Sequence, residues 1–167
     1  FVPILLFSVI TIVILDGFPT VIKQTRVGLH GKTFNMYKLR TMKKNSHLER
    51  NQLQELNEQS GPLFKIENDP RIIKGTKFFR RFSLDEIPQL INVVKGEMSL
   101  VGPRPTIPYE FVRYEEWHKR RLAVKPGMTG LWQVVARSKT SFDEQAVLDD
   151  FYVRHRSASL DMEILLR

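Results

Sequence analysis

The stretch SLDEIPQLINVVKGEMSLVGPRP, Ser83 to Pro105, decides how this chain is read. It opens on adjacent carboxylates, Asp85 and Glu86, and closes on Gly102-Pro103-Arg104-Pro105. A basic run precedes it: Arg71, Lys74, Lys77, Arg80 and Arg81. Two acids enclosed by cations suit a metal and a phosphorylated substrate. The same residues also spell a helix start. Ser83 and Glu86 fit a capping box, Phe82 and Ile87 a hydrophobic staple, and Asp85 suits the positive end of a helix dipole. Leu84, Ile87, Leu90, Ile91 and Val94 recur at helical spacing, with Gly96 as the stop. Pro88 lies slightly beyond the position where a missing N–H is free. Capping and catalysis do not exclude each other here. Consecutive helical residues point about 100° apart, so the two acids are expected to do different jobs, one attacking phosphorus and one holding a cation. Arg80, Arg81 and Arg104 are the arginines nearby in sequence that would neutralise phosphoryl charge.

The 167 residues fit one domain with a real core, and the absence of cysteine excludes disulfides, thiolate metal sites and a cysteine nucleophile. The net charge of +8 is uneven. No acid occurs between Gly17 and Leu48, while Lys23, Arg26, Lys32, Lys38, Arg40, Lys43 and Lys44 fall there. Such a block reads as a surface for phosphates, in a nucleotide, a nucleic acid or an anionic lipid, or as a solvated basic face.

FVPILLFSVITIVIL, residues 1 to 15, carries no charge. As a helix it reaches about 22 Å, short of the roughly 30 Å hydrocarbon core. With the basic block directly after it, the segment matches an insertion into an anionic leaflet, the bland reading being a buried core helix. Val27 to Met42 predicts a hairpin around Leu29-His30-Gly31-Lys32, presenting Lys38 and Arg40. Residues 43 to 60 read as an exposed helix, Asn68-Asp69-Pro70-Arg71 as a turn, and Tyr109 to Arg121 as a charged helix with Phe111, Val112 and Tyr114 inward. His118 reads as a surface histidine, Trp132 as core, and Asp149-Asp150 as the continuation of a helix from Ser141. Lys125 to Gly130 is a turn-rich loop without phosphate-loop spacing.

Four blocks in order resemble the bacterial sugar transferases, the monotopic phosphoglycosyl transferases that load a phosphosugar onto polyprenyl phosphate. They are Gln24 to Gly28 through Tyr37 to Met42, Ser83 to Pro105, Lys125 to Val134, and Leu148 to Tyr152. The resemblance implies an α+β fold: a compact, mostly helical, membrane-associated domain with a small β-hairpin or sheet. It also implies an N-terminal re-entrant membrane helix, of which residues 1–16 would be the second half, followed by a catalytic domain over 17–167. Pro3 matches the proline of the family's Ser-Pro bend, with Val2 in place of the serine. The chain starts without Met and ends in an apolar run, so it is expected to be a fragment of a longer protein.

By the same resemblance, Asp85 attacks the phosphorus bearing the sugar and, with Glu86, holds Mg²⁺. Arg80, Arg104, Lys38 and Arg40 would bind substrate phosphate, and Gln133, Arg137 and Asp149 would contact or border the substrate. The implied reaction moves hexose 1-phosphate from a UDP-sugar, glucose or galactose favoured, to undecaprenyl phosphate at the cytoplasmic face of the bacterial inner membrane. Membrane lipid is then a partner, nucleic acid is not, and the oligomeric state stays open, a homo-oligomer included. The competing class is a non-catalytic membrane-surface adaptor. It would need only the apolar segment and the basic block.

Overall fold

The computed structural model describes residues 2–46, 49, 53–56, 66, 68–136 and 140–167. Helices and short two-stranded sheets make an α+β chain. It divides into two compact units, one of Phe1–Gln24, Tyr37–Gln59 and Phe64–Gln89, the other of Thr25–Met36, Ser60–Leu63 and Leu90–Arg167.

The first unit begins with α1, Val2–Asp16, whose hydroxyls are bonded within the helix: Ser8 Oγ and Thr11 Oγ1 each donate to the carbonyl four residues back at 2.8 Å. Ile12 is fully buried with Leu39 and Phe79, and Leu5, Val9 and Leu84 pack against them. Other apolar side chains of α1 are exposed, Phe7 to 62% and Ile14 to 77%. Among the described residues no helix is long and apolar enough to cross a membrane. Gly17, at φ +69°, ends α1 in the left-handed turn that glycine favours, and Arg40 donates to the carbonyls of Asp16 (3.0 Å) and Gly17 (2.5 Å). A guanidinium over the last turn also matches the negative end of the helix dipole.

Strand β1, Val21–Val27, precedes the expected turn, and β2, Thr33–Leu39, follows it. Amide bonds Arg40→Thr20 and Gly28→Lys32 bracket the pair and fix it as an antiparallel hairpin. Beyond β2 the chain stays extended and pairs again: Lys43 N–H donates to Arg71 O and Ile73 N–H to Thr41 O. Asp69 anchors that segment by accepting from the Arg71 amide and Nε, both at 2.9 Å. Burial pushes the Asp69 carboxyl up, but the Arg71 hydrogen bonds and charge outweigh it and leave it below its ordinary 3.8. Helix α2, Lys77–Arg81, and a 3₁₀ turn over Leu84–Gln89 complete the unit.

The helix expected over 84–94 is broken. Its first half is the 3₁₀ turn and its second is α3, Leu90–Val94. An α-helix through Pro88 would drive its ring against the Leu84 carbonyl, which tighter winding avoids. The capping box is absent too: Ser83 sits at φ +53°, and the Glu86 amide donates to the Ser83 carbonyl at 3.0 Å. Phe82 is exposed and lies 4.6 Å from the Phe78 ring instead of stapling Ile87. Val94, part of the predicted apolar stripe, is 88% exposed.

The second unit is organised by β3, Ser99–Val101, paired in parallel with β4, Gly127–Thr129. Three glycines allow the backbones to touch. A Cβ on Gly127 would overlap the Gly102 amide, one on Gly102 would lie 2.6 Å from the Lys125 carbonyl, and one on Gly130 would overlap the Gly102 carbonyl. This is why GPRP and KPGMTG carry glycine where they do. The expected 109–121 helix is only α4, Pro108–Phe111, then turns and a 3₁₀ segment over His118–Ala123. Tyr114 is buried as expected, but Val112 is exposed.

His118 is a correction as well: it is 5% exposed, between Tyr114, Trp117 and Phe142. Its Nδ1 accepts from the Glu115 amide (3.0 Å), so Nε2 carries the proton and donates to Asp143 (3.1 Å). Helix α5, Leu131–Val135, carries Trp132, which is half-buried. Helix α6, Phe142–His155, has the capping box that the earlier stretch lacks, Ser141 with Glu144, and α7, Ala158–Leu166, follows. Val101, Val124, Tyr152 and Ile164 form this unit's core. Of the helix read over 43–60, residues 43–46, 49 and 53–56 are described, with a turn at 44–46 and a 3₁₀ segment at Gln54–Leu56; the others lie outside the described residues.

Gly127→Ala is expected to lower stability by about 3 kcal/mol or prevent folding, whereas Gly96→Ala, facing only the flexible Lys125 tip at 3.5 Å, costs about 1 kcal/mol. Denaturant titration separates the two. Asp69→Asn is expected to cost about 1–2 kcal/mol at neutral pH. A lowered carboxyl stabilises above its unfolded value and loses that contribution as pH falls through the folded one, so the gap to wild type closes below about pH 3.8.

Candidate active site

Asp85 lies in the 3₁₀ turn at 2% exposure, and Glu86 beside it is half-buried. Lys38, on β2, meets both. Its Nζ is 2.9 Å from Asp85 Oδ2 and 3.3 Å from Glu86 Oε1. The Glu86 contact is a hydrogen bond, while the Asp85 contact has ionic distance without hydrogen-bond alignment. The two acids therefore share one cation, contrary to the expectation that neighbouring helical residues point to separate tasks. The longer Glu86 side chain brings its carboxylate back to the point that Asp85 faces. In a poorly solvated turn, two carboxylates this close cost several kcal/mol unless a cation lies between them.

The other cations expected at substrate phosphate divide. Arg40 is a correction: it is 4% exposed, and its guanidinium is engaged by the Asp16 carboxylate and the carbonyls of Asp16, Gly17 and Pro19. It clamps the end of α1, and these bonds and its burial turn the guanidinium inward. Arg80, on α2, is exposed, and its charge contributes to lowering the Asp69 carboxyl.

In the second unit Arg104 is half-buried on a loop held at both ends. Gly102 N–H donates to Thr129 O at 2.9 Å, and Thr106 exchanges amide bonds with Val27 at 2.8 and 3.2 Å. Arg26 donates to the Pro105 carbonyl, and the Thr106 hydroxyl is 3.0 Å from that of Tyr114. Arg121 donates to Tyr114 at 3.0 Å and pairs with Asp149. Asp149 itself is fully buried, a correction to its reading as a substrate contact. Burial pushes its carboxyl up to about 6 against the pull of Arg121 and Arg104. Its place is beneath the Arg104 loop.

The sequence pattern of the bacterial sugar transferases matches residues 1–167. The chain belongs to that family. The galactosyl transferase CpsE of Streptococcus agalactiae is 45% identical over 152 residues, covering 90% of this chain and 34% of its own length. The undecaprenyl-phosphate galactose phosphotransferase of Salmonella typhimurium is 44% identical over 160 residues, covering 91% and 33%. An N-acetylgalactosaminephosphotransferase acting with undecaprenyl phosphate in Aeromonas hydrophila is 33% identical over 173 residues, covering 100% and 38%. The chain thus spans about a third of the length of these relatives.

In this member of the family, then, the first unit brings together Asp85, Glu86 and Lys38 from the predicted set. Arg104 and Gln133 lie in the second unit, and Arg137 lies outside the described residues. Gln133 Oε1 is buried with no hydrogen-bond partner among the described residues. Sequence reasoning missed Arg121. It is the buried member of Lys119-Arg120-Arg121, and only the winding of the 3₁₀ segment tells the three apart.

Among the described residues no cluster of three His or acidic side chains suits a metal. The Asp85–Glu86 pair does fit Mg²⁺, which takes one or two carboxylates and completes its shell with water and phosphate. Both carboxylates already converge on a cationic centre, the position that the Lys38 ammonium fills. Replacing Lys38 by Met is expected to tighten Mn²⁺ binding roughly tenfold, read by electron paramagnetic resonance, and Glu86→Gln to abolish it. Unchanged affinity in both variants would remove the pair as a metal site.

Proposed function

We propose that the protein of which this chain is part transfers hexose 1-phosphate from a UDP-sugar, galactose or glucose favoured, to undecaprenyl phosphate, initiating exopolysaccharide or glycoconjugate synthesis. The observation that carries the reading is the convergence of Asp85 and Glu86 on one cation, in a sugar transferase whose relatives are named for transfer to that lipid. An adaptor that only bound membrane would leave this buried, charge-compensated pair without a task.

In the proposed mechanism an Asp85 carboxylate oxygen attacks the phosphorus bearing the sugar. The new O–P bond forms as the diphosphate bridge breaks, releasing uridine monophosphate. An oxygen of the lipid phosphate then attacks the same phosphorus, and the Asp85 carboxylate leaves. Lys38 orients the Asp85 carboxylate between these steps. Arg104 and Arg80 bind phosphate oxygens through their planar guanidinium forks. When Mg²⁺ is held by Asp85 and Glu86, it lowers the charge on the diphosphate.

Residues 1–16 are proposed as the part of a re-entrant helix that dips into the cytoplasmic face of the inner membrane, bent at Pro3, with catalysis in 17–167. The exposed apolar side chains of α1 support this, as do the lysines and arginines that follow it.

The full-length protein, given labelled UDP-galactose and Mg²⁺ without lipid, is expected to trap label on wild type and none on Asp85→Asn. Asp85→Asn should also lower turnover at least about 10³-fold, and a chelator should stop it. Label on neither protein, in a preparation that turns over once lipid is added, would mean direct transfer and reduce Asp85 to a cation ligand.

A further inference from the structure

A cleft of about 560 Å³ lies wholly within the second unit, and none of Arg104, Gln133 or Asp149 lines it. Its size falls in the range of small-molecule sites. Val101 and Val124 give it an apolar floor, while Lys125, Arg156 and His30 supply basic groups. Asp161, Ser99 and Ser157 add oxygens. Lys125 and Arg156 are both exposed and take part in no ion pair among the described residues, and the Lys125 ammonium lies beside Gly96. Their charge also exceeds the acid present. Among the described residues Asp161 is the one carboxylate in the lining, and it is committed in part to the buried Tyr152 hydroxyl at 2.7 Å.

The lining is held in place. Tyr152 is 4% exposed, and its hydroxyl lies within reach of both Asp161 and the Val101 carbonyl (3.3 Å), tying α6 and α7 to β3. His30 reaches the rim from the hairpin turn at φ +53°, a conformation that non-glycine residues seldom adopt and that recurs at binding sites.

The geometry points to a second ligand site in this cleft, one for a phosphorylated sugar. Lys125 and Arg156 take the phosphate; Asp161 and the two serines take sugar hydroxyls, which need acceptors as well as donors; Val101 and Val124 cover the apolar ring face. A nucleoside monophosphate and a hexose 1-phosphate share this chemistry, and either would occupy the site. The inference is independent of the transfer reaction, because the assay below reads binding and not turnover.

Full-length protein carrying Asp85→Asn is titrated calorimetrically with glucose 1-phosphate, uridine monophosphate and inorganic phosphate. At least one of the two sugar phosphates is expected to bind at least tenfold tighter than inorganic phosphate. Lys125→Ala and Arg156→Ala, both at exposed positions, should each weaken that binding roughly tenfold, and Lys125→Arg should restore most of it. Arg113→Ala, an exposed change away from the lining, should leave it unchanged. Binding that survives Lys125→Ala and Arg156→Ala overturns the assignment, as does binding abolished by Arg113→Ala. Equal affinity for inorganic phosphate overturns the sugar part.

Discussion

A single ammonium group shared by two carboxylates is the constraint on which the first unit depends. Asp85 is nearly inaccessible and Glu86 follows it directly, so two like charges lie close together and a cation placed between them offsets their repulsion. Lys38 delivers that charge from a different part of the chain. Its strand must therefore keep its register against the 3₁₀ turn. The Arg40 clamp on α1, the Thr41–Lys43 pairing with Arg71–Ile73, and the Asp69–Arg71 anchor all act on that strand or its continuation. The unit's apolar core, Ile12 with Leu39 and Phe79, ties the same strand to α1 and α2.

The second unit solves a different problem, presenting an arginine on a short loop without letting the loop move. Glycine at 102, 127 and 130 lets backbone pack on backbone, which no side chain can imitate at that distance. Arg26, Tyr114 and Arg121 then hold the carbonyl and hydroxyl groups that follow Arg104. Burying the Arg121–Asp149 pair is expensive in desolvation and weak as a source of stability. Its value here is specificity of position, because Arg121 orients the Tyr114 hydroxyl that meets the Thr106 hydroxyl.

Much of this was legible in the residues. The turn at Leu29–Lys32, the second strand, the apolar α1, the helix after Ser141 and the stop at Gly96 follow from local chemistry that acts within a few residues. What failed did so for physical reasons of one kind. The helix expected across Pro88 was written by periodicity, and the ring's clash with a carbonyl four residues back outweighed it. Ser83 offered a capping hydroxyl, yet the chain turns there through a left-handed residue. His118 and Arg121 look like members of a solvated charged face, and both are buried because the segment is not one continuous helix.

The sequence by itself determined the family, through four spaced blocks, and the acidic pair that chemistry at a phosphate would use. It also determined that α1 would be apolar all round, since composition needs no neighbours to be read. Only the tertiary structure decided that Asp85 and Glu86 meet at one point, that Lys38 is the cation there, and that Arg40 and Asp149 are tied up in internal pairs. Those assignments depend on distances between residues 24 to 48 positions apart in the chain. Charge pattern names the candidates, but burial and reach choose among them.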